Sequence, residues 1–250
     1  MCMISVVIPV FNGLEYIERA LKSVHGDIPY EIIIVIDDQH SLDEYRRAVR
    51  DRPEVTFIRN KKNMGVTFSR NKGYFAANGE VVVFLDVDDY FQASLDQIWK
   101  VCQSKLASVY LFRCQSDDGL TIGEPSRDEG SITSPFDEVI RMNNRGERLL
   151  AVRKNINQYP PFLAQTRGHE MAGLIRFSSG QLNARVFYSN IVARRYTQDN
   201  VRSLSKLRNS HSASIAIGHF VVSRYLLSIG KITAIKWYAK GCFRKFFQLW

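Results

Sequence analysis

Three aspartates within four residues are the best placed groups in this chain to do chemistry. Asp86-Val87-Asp88-Asp89 follows the apolar run Val81 to Leu85, which predicts a buried strand. Alternate residues of a strand share a side, so Asp86 and Asp88 would lie about 7 Å apart and repel by roughly 3 kcal/mol or less. A hard divalent cation, which binds carboxylate and phosphate oxygens, would remove that repulsion. The pattern indicates a metal-bound diphosphate, but an acidic turn after a strand remains an alternative.

The surrounding sequence predicts a parallel sheet that would position these aspartates. Apolar runs predict four strands, and 3.6-residue periodicity predicts three helices between them. The strands are expected at 4–9, 31–36, 55–58 and 81–85, and the helices at 14–24, 43–50 and 66–77. Runs that are apolar throughout are typical of strands covered on both faces, and strand–helix alternation favours a parallel sheet. We therefore predict an α/β fold with a mostly parallel sheet flanked by helices.

Polar residues follow each predicted strand, and in such sheets ligands bind beyond the carboxyl ends of the strands. These residues are Phe11-Asn12, Asp37-Asp38, Asn60 to Asn63 and Asp86 to Asp89. Neither a Gly-x-Gly-x-x-Gly loop after the first strand nor a Gly-x-x-x-x-Gly-Lys-Ser/Thr loop is present. Dinucleotide redox chemistry and P-loop hydrolysis are therefore disfavoured. Phosphates at this edge would need a metal and an arginine instead.

Several segments resemble the motifs of family-2 glycosyltransferases, which depend on nucleotide sugars and have the GT-A fold. The resembling segments are 5–12, 33–38, 63–65, 69–73 and 84–89. Their order and spacing match over about residues 4–91. The resemblance implies a GT-A (Rossmann-like) sheet and the transfer of a hexosyl group from a nucleotide sugar, usually a UDP-sugar.

The resemblance also implies a nucleotide site. Phe11 would stack on the base, and Asp38 would accept a hydrogen bond from it. Arg70 would bind the diphosphate, Asp86 would lie near the ribose and the metal, and Asp88 would ligate Mn²⁺ or Mg²⁺. The other residues expected to border the nucleotide are Pro9, Asn12, Glu15 and Asn63.

Each of these residues also has a plain structural interpretation. Phe11 could be a core aromatic, Asp38 a turn or cap acid, and Arg70 a surface arginine. Glu15 could be a solvated residue of the first helical turn. Asp89 is expected to cap a helix that begins near Phe91.

An inverting transfer needs a general base, which in this family is usually the Asp of a Glu-Asp pair late in the domain. Gly168-His169-Glu170-Met171 is the nearest match, so the resemblance implies Glu170 as the base. His169 is an alternative by its pKa, and a carboxylate favoured at a helix start would explain Glu170 without catalysis. The remote alternatives are Asp117, Asp118 and Asp128.

Charge is distributed unevenly along the 250 residues. The net charge is +9, and residues 176–250 hold 13 Lys or Arg but one acid. This asymmetry indicates an anionic partner such as a membrane surface, a nucleic acid or a phosphorylated substrate. The cysteines show no paired spacing, which disfavours zinc and disulfides and fits a reducing cytosol. They are Cys2, Cys102, Cys114 and Cys242.

The C-terminal segment predicts a basic amphipathic helix. Apolar residues recur at helical spacing beside a stripe of lysine and arginine, as suits an anionic membrane interface. The apolar stripe is Ile232, Ile235, Ala239, Cys242, Phe246 and Leu249, and the basic stripe is Lys236, Lys240 and Arg244. A helix packed on the domain is the alternative. We expect no signal peptide, and the apolar tract 215–229 is too short and too charged for a transmembrane helix.

We therefore expect a GT-A domain over 1–208, with a nucleotide-binding half (1–110) and an acceptor half (111–208), followed by a basic helical tail (209–250). The expected function is metal-dependent, inverting transfer to a glycan or lipid-linked acceptor in surface polysaccharide biosynthesis. The protein would be cytoplasmic and would bind peripherally at the inner face of the cell membrane. The alternatives are an inactive nucleotide-sugar-binding protein and a basic nucleic-acid-binding protein. The sequence does not indicate the sugar, the acceptor or the oligomeric state.

Overall fold

Strands and helices alternate through the first hundred residues of this computed structural model. The structure describes residues 3–50, 52–122, 132–133, 147–154, 159–164, 172–178, 185–197, 212–228 and 234–246. The first elements are β1 (Ile4–Val10), α1 (Ile17–Ser23), β2 (Tyr30–Ile36), α2 (Leu42–Val49), β3 (Val55–Arg59), α3 (Val66–Ala76), β4 (Val81–Phe84), β5 (Tyr90–Phe91) and α4 (Leu95–Ser104). The later elements are β6 (Val109–Ser116), β7 (Thr121–Ile122), β8 (Ile132–Thr133), β9 (Arg148–Arg153), α5 (Ala172–Ser178), β10 (Val186–Tyr196), α6 (Ser212–Ser228) and α7 (Ala234–Phe246).

All described strands belong to one mostly parallel sheet. Its order is β3-β2-β1-β4-β9-β6-β10-β5, with β7 beside β6 and β8 beside β10. The β1–β2, β2–β3, β1–β4 and β6–β10 pairs are parallel, whereas β9 is antiparallel to both β4 and β6. Consequently β1 to β4, β6 and β10 run in one direction and end at the same edge, which we call the carboxyl edge. The predicted α/β fold is confirmed.

Helices cover both faces of the sheet, as the continuously apolar strands predict. Every residue of β1 is buried. On one face, the β1 side chains Ile4, Val6, Ile8 and Val10 pack with residues of α1, α2 and α4. On the other face, Val7 packs with residues of α3 and α5. Gly73 of α3 allows a close approach there, since a Cβ atom at this position would lie 2.3 Å from Cγ1 of Val7.

The start of α4 differs from the prediction. Residues 90–91 form β5 rather than a helix, and α4 begins at Leu95 with Ser94 as its N-cap. Ser94 and Gln97 form a capping box, in which each side chain accepts from the other's backbone N–H. The expected role of Asp89 as a helix cap is therefore wrong.

Two helices end the described chain. Buried side chains of α6 and α7, Val222, Leu226, Ala234 and Trp237, pack together with Ala172 of α5. The face of α7 that packs is thus not the predicted apolar stripe, because Ile235, Ala239 and Cys242 are exposed. No described helix is both long enough and apolar enough to cross a membrane.

Candidate functional site

The loops that leave β1, β2 and β4 lie side by side at the carboxyl edge. The backbone N–H of Leu85 donates to the Val7 carbonyl at 3.0 Å, and that of Asp37 to the Val10 carbonyl at 2.8 Å. A Cβ atom at Gly13 would lie 2.6 Å from Cγ1 of Val87. The loop after β1 therefore packs directly against the segment Asp86–Asp89, as the predicted convergence of strand ends requires.

Phe11 and Asn12 follow β1 at the surface. The Phe11 side chain is 52% exposed, so it is not a core aromatic. Asn12 has a φ of 52°, a left-handed conformation that Asn tolerates better than most residues. An exposed aromatic ring at this edge is available to stack on a planar ligand. Pro9 lies buried within β1, and Glu15 is exposed just before α1.

Asp38 connects the loops that follow β1 and β2 through hydrogen bonds. Its carboxylate accepts hydrogen bonds from the backbone N–H of Asn12 at 2.7 Å and of His40 at 3.0 Å. It also accepts from the buried Tyr45 hydroxyl at 2.7 Å, and burial together with this contact raises the pKa of Tyr45. Asp38 thus has the turn role that we considered, and its predicted contact with the base stays a prediction.

Asp37 shapes the neighbouring loop, a role that the sequence analysis missed. Its carboxylate accepts from the Asn60 side chain and from the backbone N–H groups of Met64 and Gly65, each at 2.8 Å. Asn63 also accepts from the Gly65 N–H, at 3.0 Å. Gly65 has a φ of 85°, which favours glycine. The predicted nucleotide-loop residue Asn63 is therefore held in place through Asp37.

Arg70 and Asp86 are partners. One guanidinium nitrogen of Arg70, on α3, lies 2.5 Å from Oδ1 of Asp86, at the end of β4. The Arg70 side chain is 15% exposed, so it is not an ordinary surface arginine. Burial alone would raise the pKa of Asp86, but the charges of Arg70 and Arg194 hold it below its usual value. Asp86 is therefore an anion at neutral pH.

A second arginine, Arg194 of β10, lies 3.7 Å from Oδ2 of Asp86. Its side chain is 4% exposed and lies 3.1 Å from Oδ2 of Asp89, which is itself buried. Burial raises the pKa of Asp89, and the charge of Arg194 opposes this shift and favours the ionised carboxylate. Arg194 is therefore a buried, paired arginine and not a solvated one. The signal available in sequence was the third aspartate after β4, since a buried acid needs a cationic partner.

The residues present fit a divalent cation bound together with a substrate. No cluster of three or more His, Cys, Asp or Glu suited to a metal occurs within the described ranges. However, Mg²⁺ is usually held by one or two carboxylates plus substrate phosphates and waters. Asp86 and Asp88 would supply the carboxylates, and both are partly exposed. Because Arg70 already contacts one oxygen of Asp86, Asp88 is the better candidate.

The predicted base lies outside the described residues. Glu170, His169 and the remote alternative Asp128 all fall in ranges whose placement is not described. Asp118 instead accepts from the Leu120 N–H and pairs with the Ser116 hydroxyl, in the turn that links β6 to β7. This contact gives Asp118 a structural role.

Comparison with known proteins identifies the family of this chain. The sequence model described as glycosyl transferase family 2 matches residues 5–161. A relative from Campylobacter jejuni, named GalNAc(5)-diNAcBac-PP-undecaprenol beta-1,3-glucosyltransferase, is 31% identical over 91 residues, which cover 34% of this chain and 29% of that protein. An uncharacterized Nostoc glycosyltransferase, alr2836, is 37% identical over 106 residues, covering 40% of this chain and 33% of that protein. These matches span about a third of the length of the curated relatives.

Solved structures share the fold. The S. aureus TarS 1–349 structure in complex with UDP-GlcNAc superposes with a TM-score of 0.70 and 17% sequence identity. The superposition covers 98% of this chain and 72% of that one. At this identity the likeness establishes the fold alone, and it agrees with the sheet and helix layers described above.

Proposed function

The chain belongs to glycosyl transferase family 2, and we propose on that premise that it transfers a hexosyl group from a UDP-sugar to an acceptor hydroxyl. The observation that carries the proposal is the Arg70–Asp86 ion pair at the carboxyl edge, within the family-matched segment. The loop carrying the exposed Phe11 ring packs on the turn that begins with Asp86. A cationic group and an aromatic surface are what a nucleoside diphosphate needs.

The proposed reaction is a single displacement that inverts the anomeric carbon. The acceptor oxygen forms a bond to that carbon while the bond to the diphosphate oxygen breaks, and UDP leaves with the electron pair. Glu170 takes the proton of the acceptor hydroxyl. A divalent cation held by Asp86 and Asp88 would, when bound, neutralise charge on the diphosphate. Arg70 would supply further charge-assisted hydrogen bonds to the same group.

Nucleotide binding tests this proposal without knowledge of the acceptor. Thermal unfolding is measured with UDP, UDP-sugars, GDP and dTDP, each with and without Mn²⁺. At 100 times its Kd, a ligand stabilises the fold by about 2.7 kcal/mol, which corresponds to a rise in Tm of roughly 5–10 °C for a chain of this size. We expect this rise for UDP and at least one UDP-sugar, larger with Mn²⁺. Unchanged Tm values for every nucleotide would refute a donor site.

Turnover separates an enzyme from an inactive binding protein. Release of UDP from the best-binding UDP-sugar is followed with Mn²⁺, first with water and then with candidate glycan acceptors. We expect slow hydrolysis and faster transfer. Tight binding with no release under any condition would instead support the inactive nucleotide-sugar-binding protein.

We further propose a glycan or lipid-linked acceptor, reached at the inner face of the cell membrane by peripheral contact through the C-terminal tail. The exposed Ile235 and Tyr238 of α7, 66% and 57% exposed, flank the exposed Lys236. Apolar and aromatic side chains interleaved with lysine are typical of helices that lie in an anionic membrane interface. The PP-undecaprenol acceptor in the name of the C. jejuni relative supports the same location.

Vesicle flotation tests the membrane contact with the full-length chain. The wild type should float with vesicles that contain anionic lipid, and less so as salt is raised. Ile235→Glu combined with Tyr238→Ser should reduce flotation. Leu106→Glu, which changes a residue that is 75% exposed far from the tail in sequence, is the matched control. Equal flotation of all three proteins would rule out a role for this face of α7.

A further inference from the structure

Arg194 is a buried cation whose guanidinium is fully occupied. One terminal nitrogen lies 3.1 Å from Oδ2 of Asp89 and 3.7 Å from Oδ2 of Asp86. The other terminal nitrogen donates to Glu147 at 3.2 Å, and Nε contacts the Cys114 sulfur, also at 3.2 Å. With its side chain 4% exposed and each nitrogen engaged inside the protein, Arg194 is not placed to bind a ligand directly.

The segment it contacts is crowded with negative charge. Asp86, Asp88 and Asp89 lie within four residues, and the Asp89 N–H donates to the Asp86 carbonyl at 3.0 Å, which closes a tight turn. Asp89 is 1% exposed. A buried carboxylate is costly unless it is paired, and two neighbouring carboxylates increase that cost. Arg194 supplies the compensating charge to the first and last aspartates of the turn.

The pairing of strand β10 with β5 determines the position of the Arg194 guanidinium relative to the turn. Arg194 is the register partner of Phe91 in the antiparallel pair of β10 and β5. The Gln92 N–H donates to the Ala193 carbonyl, and the Thr197 N–H donates to Oδ1 of Asp89, both at 3.0 Å. The turn Asp86–Asp89 is thus tied to β4 at one end and to β10 at the other.

We propose that Arg194 is a positioning residue of the donor site. It holds the carboxylates of Asp86 and Asp89, and thereby keeps the turn in the one conformation in which Asp86 and Asp88 meet the donor diphosphate and its cation. This inference rests on the proposed function, because it concerns a site for a nucleotide diphosphate. It adds a residue about a hundred positions away from the turn that does not touch the donor.

The test compares Arg194→Met and Arg194→Lys with a matched control, Arg153→Met. Arg153 is also a largely buried arginine of the same sheet and is paired with Glu80, just before β4 and so at the opposite edge. UDP affinity is measured by calorimetry with and without Mn²⁺. Arg194→Met should lower the enhancement of UDP affinity by Mn²⁺ by about tenfold or more, as loss of supporting contacts commonly does at metal sites. Affinity for UDP without Mn²⁺ should stay close to the wild-type value.

Arg194→Lys keeps the charge but not the planar fork, so it should recover only part of the Mn²⁺ effect. Arg153→Met should retain the full effect even if its Tm falls. If Arg194→Met does not fold, Arg194→Met with Asp89→Asn removes both buried charges, and this double variant should fold yet still lack the Mn²⁺ effect. Near-UV circular dichroism and thermal unfolding report folding in every case.

The outcomes distinguish this inference from the proposed function. A wild-type protein that does not bind UDP overturns both. A wild type that binds UDP with Mn²⁺ enhancement, together with Arg194 variants that keep this enhancement, overturns the role of Arg194 alone. Equal loss in Arg153→Met would also overturn it, because general destabilisation would then explain the effect.

Discussion

The guanidinium of Arg70 and the carboxylate of Asp86 are 2.5 Å apart, so two predicted ligands of the donor also contact each other. Arg70 has several N–H donors, and one contact to Asp86 leaves others for a diphosphate. The other carboxylate oxygen of Asp86 lies 3.7 Å from a guanidinium nitrogen of Arg194. The pair therefore fixes the orientation of the Arg70 side chain at the proposed diphosphate site.

Replacing Arg70 tests its contact with the diphosphate. Arg70→Met should weaken UDP binding by about 1.5–3 kcal/mol, the range for a hydrogen bond to a charged group. Binding of uridine, which lacks the diphosphate, should not change. Calorimetry with both ligands measures the difference, and Arg46→Met, at an exposed position on α2, is the control. Equal losses for UDP and uridine would show that Arg70 acts on the fold rather than on the phosphates.

Asp88→Asn should remove the effect of Mn²⁺ on UDP binding and on turnover, because it withdraws the carboxylate best placed to ligate the cation. The substitution keeps the size of the side chain, so the folded structure should persist. UDP affinity is titrated against Mn²⁺ for the variant and for Asp43→Asn, an exposed acid on α2. Retained Mn²⁺ dependence in Asp88→Asn would exclude it as a ligand.

Phe11→Ala should weaken binding of UDP and uridine alike, by roughly 1–3 kcal/mol, the range for a base stacked on an aromatic ring. Since Phe11 is 52% exposed, the free energy of unfolding should change little. Phe11→Tyr should preserve binding. Phe75→Ala, at another exposed phenylalanine, is the control. Unaltered nucleotide affinity in Phe11→Ala would mean that the base binds elsewhere.

Glu170→Ala should abolish transfer while leaving UDP affinity nearly unchanged, because a general base acts on the acceptor and not on the nucleotide. Loss of a general base commonly lowers the rate by about 10²–10⁴-fold. Initial rates and UDP calorimetry are measured for Glu170→Ala and His169→Ala. A variant with near-normal turnover is thereby removed from the mechanism, and a larger loss in His169→Ala would make His169 the base.

Glu31 should contribute a pH-dependent part of the stability. Burial would raise its pKa, but hydrogen bonds from Ser5, Asn78 and Gly79 outweigh that effect and lower it. The unfolded state therefore binds the proton more tightly. The stabilisation is complete above the unfolded pKa of about 4.3 and is lost as the pH falls through the lower folded value.

Glu31→Gln tests this linkage. It should cost about 1 kcal/mol at pH 7, the order of one hydrogen bond, and progressively less toward pH 3. Urea unfolding of the wild type and the variant measures the difference. Glu18→Gln, at an exposed ion pair, is the control and should have little effect at either pH. A cost that does not vary with pH would contradict the predicted linkage.

The fold was predictable from the sequence for those segments whose residue pattern is compatible with a single structure. Strands β1, β2 and β4 are apolar apart from Ser5, Tyr30 and Glu31 because both faces of the sheet are covered, and polar residues at the strand ends mark the carboxyl edge. Asp86 was therefore predictable from local sequence. Its partner Arg194 was not, since a β10 residue reaches Asp86 only through the sheet order, which local patterns do not encode.

The same limit explains one wrong prediction. The sequence predicts a helix that begins near Phe91, but Phe91 lies in β5 because it pairs with Arg194, which is distant in the sequence. The packing of α7 on α6 through Trp237 and Gly241 also depends on contacts with His219 and Phe220 that local spacing does not encode. Intramolecular roles of Asp37 and Asp38 likewise depend on Tyr45, Met64 and other residues brought close by folding.

The pairing of β5 with β10 has a consequence for the design of chimeric transferases. The turn Asp86–Asp89 is held by β10, which lies in the second half of the chain, so the predicted boundary near residue 110 would not separate two parts that can be exchanged freely. A graft that replaces the predicted acceptor half must also supply a guanidinium opposite Phe91, or Asp89 will be left as an uncompensated charge in the interior.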